Sequence, residues 1–195
     1  MERIDELFPR FDEAGKNLIR KAYAIAEQAL KDMKRGNGRP FIEHPDAVAH
    51  IADEEIGLSA ECIAAVYLHE AVRFKPETDI ASEGFGKDIL TIVDGLNKIS
   101  TINPKDTRLE AENYKRLIVS YSRDPRVTVL KIADRLEVMR SLDMFPKTSR
   151  ERKVLETMML YIPLAHQLGL YNIKSELEDI YFRYAEPEQY RAITN

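Results

Sequence analysis

Apolar residues recur at three- and four-residue steps along most of this chain, and that period constrains the fold more than any other feature. Leu18, Ile19, Ala22, Tyr23, Ala26, Ala29, Leu30 and Met33 follow it, with Lys, Arg and Glu between them. The run breaks at Gly36-Asn37-Gly38, and Pro40 and Pro45 come next. Pro45 suits the first turn of a helix that carries Val48, Ile51 and Ala52. Ser59 is a candidate N-cap for a helix over 60–72, and Glu61 and Glu77 favour helix starts at their own positions. Further helices are expected over 87–99, 108–121, 125–142, 149–167 and 173–184. Between them lie short loops marked by Phe85-Gly86, Asn103-Pro104, Asp124-Pro125, Phe145-Pro146 and Gly169. Val127-Thr128-Val129 would tolerate a strand locally, but no alternating partner segment accompanies it. The pattern predicts an all-α chain of about seven to eight helices, without internal repeats.

The 195 residues suit one domain or at most two small ones. Lys and Arg number 29 against 33 Asp and Glu, a net charge of −4. That balance argues against bulk electrostatic binding to nucleic acid or to an anionic membrane. The single cysteine, Cys62, excludes an internal disulfide framework and a cysteine-based zinc cluster, and it reads as a buried small hydrophobe. Its apolar run, 62–68, is too short to span a bilayer, and the charged N-terminus lacks the apolar segment of a signal peptide. These features predict a cytoplasmic protein of a reducing compartment, with no membrane and no direct nucleic-acid partner.

There are four histidines, His44, His50, His69 and His166. His44 precedes Pro45 at a loop-to-helix junction, His69-Glu70 ends an apolar helix, and Asp134 sits in Lys131-Ile-Ala-Asp-Arg-Leu136. Imidazole nitrogen and carboxylate oxygen together suit zinc, manganese or iron in an open site. Adjacent helical residues diverge by about 100°, so His69 and Glu70 could share an ion only over the gap between them. His44 and Asp134 are candidates to close such a site, although spacing alone leaves a set of satisfied core residues as the plainer reading.

Those same stretches carry a family resemblance. Arg35-Gly-Asn-Gly-Arg-Pro-Phe-Ile-Glu-His-Pro45, Ala64-Ala-Val-Tyr-Leu-His-Glu70 and the run from Val129 to Leu142 resemble the hydrolase domain of the RelA/SpoT family, which makes and breaks (p)ppGpp. Supporting blocks lie at 93–98, 111–116, 161–169 and 174–184, in collinear order. The resemblance implies an all-α HD-domain helical bundle of the RelA/SpoT hydrolase type. It implies a (pseudo)hydrolase domain over 1–165, then linker helices over 166–195 leading to a synthetase domain beyond this chain. His166 is expected to pack between the two modules, and His50 to lie on the exposed side of its helix. A metal, usually manganese, would be held at the positions of His44, His69, Glu70 and Asp134.

The chain departs from the family pattern in three places, at Glu70, at the Arg73–Phe74 pair and at Val138. Glu70 stands where Asp is expected, longer by about 1.5 Å, whereas metal ligands are held to within about 0.2 Å. Arg73 and Phe74 occupy the places of an acidic Glu-Asp pair that orients and activates the attacking water. Neither can accept a proton at neutral pH. Val138 replaces an Asn on the substrate side. The packing residues around these positions are kept, so the resemblance implies a hydrolysis-defective domain that is regulatory or structural for a (p)ppGpp synthetase (GTP pyrophosphokinase). Metal binding is then expected to be weak or absent. The alternative is an active manganese-dependent guanosine-3′,5′-bis(diphosphate) 3′-pyrophosphohydrolase, with Glu137, Glu77 or Asp79 compensating. A guanine nucleotide could still be bound: Arg35 matches an Arg that stacks on the base, Ser141 a hydroxyl near the ribose, and Arg73 could pair with a pyrophosphate.

Overall fold

The structure is a computed structural model that describes residues 2–100, 123–187 and 193. The helix expected over 108–121 and the block at 111–116 lie outside the described residues. Among those described, the regular elements are helical apart from an isolated bridge between Lys34 and Pro40. Two compact units divide the chain between Leu130 and Lys131.

The first unit is organised by α4 (Ala60–Phe74). Ser59 caps it, its Oγ accepting from the Cys62 N–H at 3.4 Å, as the spacing predicts. Nearly every residue from Cys62 to Ala71 is buried, so this helix is covered on all sides and its polar members are buried too. Cys62 is among them, and burial pushes its thiol up. Around α4 pack α2 (Glu13–Leu30), α3 (Glu43–His50) and α5 (Lys87–Ser100), while α1 (Glu2–Leu7) lies on α2.

Asp12 caps α2, accepting from the Gly15 N–H at 2.8 Å, so that helix starts earlier than its apolar stripe. The short α1 carries no full stripe, which is why periodicity does not reveal it. At its far end α3 widens into a π-helical stretch, Ile51–Ile56, ended by Gly57 at φ +83°, a left-handed conformation that suits glycine. Glu77 lies in a turn rather than at a helix start. His50 is half-buried, stacked on Phe8 at 5.0 Å, instead of fully exposed. On α5, a Cβ at Gly95 would stand 2.8 Å from a Val127 methyl, so glycine permits the close approach of that segment.

A partly buried polar web ties α1 to this core. The Tyr67 hydroxyl donates to Asp46 at 2.8 Å, Arg3 donates to the same carboxylate at 2.9 Å, and Arg3 also reaches the Tyr23 hydroxyl. Burial and the Asp46 charge raise the Tyr67 phenol strongly and push Tyr23 up to about 12.

The second unit holds the rest of α6 (Pro125–Arg140), then α7 (Lys147–Glu156), a π-helical turn (Thr157–Tyr161), α8 (Ile162–Gln167) and α9 (Tyr171–Ala185). The helix expected over 149–167 is thus interrupted. Arg135 holds the interruption, donating to Glu156 at 2.9 Å and to the Lys153 carbonyl at 3.2 Å, with its guanidinium over the Tyr161 ring. Arg140 clasps Glu176 through two hydrogen bonds of 2.6 and 2.7 Å, holding that carboxyl below the usual range. Among the described residues, no helix is long and apolar enough to cross a membrane.

Two measurements check this packing. Tyr67→Phe removes a buried donor from Asp46 and should lower unfolding free energy by about 1–3 kcal/mol in denaturant titrations. A carboxyl with a depressed native pKa stabilises the fold above its unfolded pKa and ceases to as pH falls through the native one. Glu176→Gln should therefore reduce stability at neutral pH and shrink the difference from wild type in acid, read by melts across pH 3–7 (roughly the carboxylate range and above).

Candidate metal and nucleotide site

The polar end of α4 makes the site. His69 and Glu70 are its buried polar pair, and both survive burial because neighbouring elements bring complementary groups to them. His44 comes from the first turn of α3, where its backbone N–H donates to the Phe41 carbonyl at 2.9 Å. The Nε2 atoms of His44 and His69 lie 3.7 and 3.3 Å from one oxygen of Glu70, which is 1% exposed. On its other nitrogen, His69 Nδ1 meets Oδ1 of Asn97, from α5, at 2.8 Å. Two imidazoles thus flank one buried carboxylate oxygen, nitrogen and oxygen donors of the kinds a divalent ion takes.

The residues in place of the acidic pair line the approach to this spot. The Arg73 guanidinium, 44% exposed, lies 3.6 Å from the second oxygen of Glu70. It also covers the ring of Phe74 at 4.8 Å. Phe74 packs edge-on against Phe41 at 5.0 Å, and Phe41 in turn lies 5.7 Å from the His44 ring. Arg73 therefore supplies Glu70 with a positive charge from outside, in the region where the family pattern has two acids.

Arg35 is half-buried in the turn before α3, its N–H donating to the Arg39 carbonyl at 2.8 Å. That loop is closed by Phe41, whose N–H donates to the Met33 carbonyl at 2.9 Å. Of the three possible compensating acids, two accept hydrogen bonds and the third is exposed in the turn just past α4. Glu77 is exposed beside a shallow cavity of about 570 Å³ lined by Ile25, Gln28 and Met33. Asp79 accepts from the Ser82 N–H at 3.2 Å. Glu137, in the second unit, accepts from the Ser141 hydroxyl at 3.1 Å.

In that second unit, Asp134, Val138 and Ser141 follow one face of α6 and its end, each half-buried. His166 is exposed in the last turn of α8, edge-on to Tyr171 at 5.6 Å. Two further residues surround the site. Phe41 belongs to the stretch 35–45, with no polar atom to signal a role. Asn97 stands four residues after Val93 beside an apolar stripe of Ile92, Val93, Leu96 and Ile99, and that one polar member of a core-facing surface was its available signal.

The fold and the site define an HD domain. A family model described as "HD domain" matches residues 22–171, and the chain belongs to that family. Its curated relatives are of the RelA/SpoT kind. It is 37% identical over its full length to a guanosine-3′,5′-bis(diphosphate) 3′-pyrophosphohydrolase of Aquifex aeolicus, covering 27% of that protein. It is 37% identical over 90% of its length to the bifunctional (p)ppGpp synthase/hydrolase SpoT of Escherichia coli, covering 25%. To a probable GTP pyrophosphokinase of Mycobacterium leprae it is 35% identical over 96% of its length, covering 23%. The chain thus spans about a quarter of the length of these relatives. A solved structure of a metazoan ortholog of SpoT that hydrolyzes ppGpp superposes with a TM-score of 0.67 at 18% identity, over 90% of this chain and 98% of that one. At that identity the likeness carries the all-α HD fold alone.

Removing the external charge tests this electrostatic picture. Arg73→Ala should raise the affinity for Mn²⁺ about fivefold, the equivalent of about 1 kcal/mol for a partly exposed charge, read by titration calorimetry.

Proposed function

We propose that this chain is a hydrolase-type domain that keeps the frame for a divalent ion and a guanine nucleotide but has given up proton transfer. It would then serve as a regulatory or structural module for a synthetase domain of the same polypeptide. The observation that carries this is the Arg73–Phe74 pair. One side chain is a permanent cation turned on Glu70 and the other an aromatic ring packed on Phe41, so neither can take a proton from water. That Asp79 and Glu137 are engaged elsewhere supports the same reading.

His44, His69, Glu70 and Asp134 are the residues that would hold the ion, with manganese the metal implied by the family. His44, Glu70 and Asp134 offer the nitrogen and oxygen donors such an ion takes. When bound, the ion supplies Lewis acidity and charge neutralisation for a phosphate. The remaining roles fall to the chain itself. Arg35 would stack its guanidinium plane on the guanine base and Ser141 would hydrogen-bond the ribose. Arg73 would pair with the pyrophosphate, an anion binding better here than at an acidic pair. Val138 offers the substrate no hydrogen bond. His166 would pack between this domain and the synthetase module.

The convergence of His44 and His69 on Glu70 is what favours the other reading, an active manganese-dependent 3′-pyrophosphohydrolase of (p)ppGpp. Losing both acids should cost about 10²–10⁴-fold in rate. Incubated with ppGpp and Mn²⁺, the chain should release pyrophosphate at least about a hundredfold more slowly than an ordinary enzyme turning over at about 1 s⁻¹. Turnover at or above that ordinary rate would overturn the proposal. The triple variant Glu70→Asp, Arg73→Glu, Phe74→Asp should gain both Mn²⁺ affinity and hydrolysis. If it gains neither, the reason given for the silent site is wrong.

A further inference from the structure

We infer that Asn97 is a positioning residue for the metal site: its amide oxygen fixes the His69 ring in the tautomer that leaves Nε2 facing Glu70 as a bare lone pair. This rests on the metal reading above, and it concerns a residue outside the expected ligand set. The argument starts from hydrogen-bond chemistry. A neutral imidazole carries one proton, and which nitrogen holds it follows from the partners of the two nitrogens. Oδ1 of Asn97 can only accept, and it lies 2.8 Å from Nδ1, so Nδ1 carries the proton and donates. Nε2 is left without one, 3.3 Å from the Glu70 carboxylate. In that state an imidazole lone pair and a carboxylate lie side by side in a buried place, the donor types a divalent cation takes.

The opposite tautomer would put a proton on Nε2 beside the Glu70 oxygen, where it would compete with an ion for that nitrogen and that charge. Asn97 thus keeps the proton on the side of the ring away from Glu70. Its own placement is built into α5. Ile92, Val93, Leu96 and Ile99 bury one face of that helix, α5 packs on α4, and the missing side chain of Gly95 lets it approach Val127 closely. Asn97 lies at the edge of that face, half-buried, so the amide is held where the His69 ring ends.

The test uses the 195-residue chain and compares wild type with Asn97→Ala and Asn97→Asp. Long-range ¹H–¹⁵N spectra of the imidazoles at pH 8, about 1.5 units above an ordinary histidine pKa, report the tautomer of His69 without any metal. Wild type and Asn97→Asp should show the proton on Nδ1, and Asn97→Ala should populate Nε2–H. Calorimetric titration with Mn²⁺ should then show an affinity about 10–100-fold lower for Asn97→Ala, restored in Asn97→Asp, which rules out a general loss of packing. An unchanged tautomer in Asn97→Ala overturns the inference. So does equal Mn²⁺ affinity in wild type and Asn97→Ala. If none of the three chains binds Mn²⁺, the metal reading fails instead, and the tautomer spectra still decide what Asn97 does.

Discussion

A carboxylate taken out of water must be given positive charge, and Glu70, at the covered end of α4, is the place where this protein meets that requirement. The nearby groups are arranged by it. Two histidines turn their Nε2 atoms toward one oxygen, and an arginine one turn along the helix approaches the other. A divalent ion and a guanidinium are alternative answers to the same electrostatic demand. Arg73 supplies the second from the solvent side, where screening makes it a weak answer. The weakness matters, because it leaves room for an ion rather than abolishing the site.

The rest of the first unit can be understood as support for that spot. Because α4 is apolar almost all round, other helices must cover it, and each brings one functional group along: His44 with α3, Asn97 with α5. The web of Arg3, Tyr23, Asp46 and Tyr67 fixes the start of α3 only two residues from His44. Stability and ligand placement are therefore carried by the same contacts, as expected where a site is built on helices instead of loops.

Much of this is legible in the residues. The apolar period on α2, Ser59 ahead of α4 and the buried character of Cys62 all follow from local rules with few competitors. The elements that periodicity misplaces have specific physical causes. The short α1 is held by Arg3 and its partners from α2 and α3, contacts no local pattern displays. The break at Thr157–Tyr161 depends on Arg135 reaching across from α6, a tertiary interaction hidden in an unbroken helical stripe. Within the site, residue types identify His44, His69 and Glu70 as candidate ligands. The geometry adds what types cannot, namely that Phe74 is bound into an aromatic contact and that His69 has its second nitrogen engaged by Asn97.

The contact between Phe74 and Phe41 bears on how such a domain changes over time. An aromatic pair of this kind is worth about 0.5–1.5 kcal/mol beyond the area it buries. A carboxylate at position 74 would forfeit that contact and would need a different neighbour at 41, which itself lies beside the His44 ring. A single substitution to an acid at 74 therefore loses stability before it can gain chemistry. The aromatic pair works as a ratchet: a step away from an acid at 74 is easier to take than a step toward one, because packing holds the ring in place.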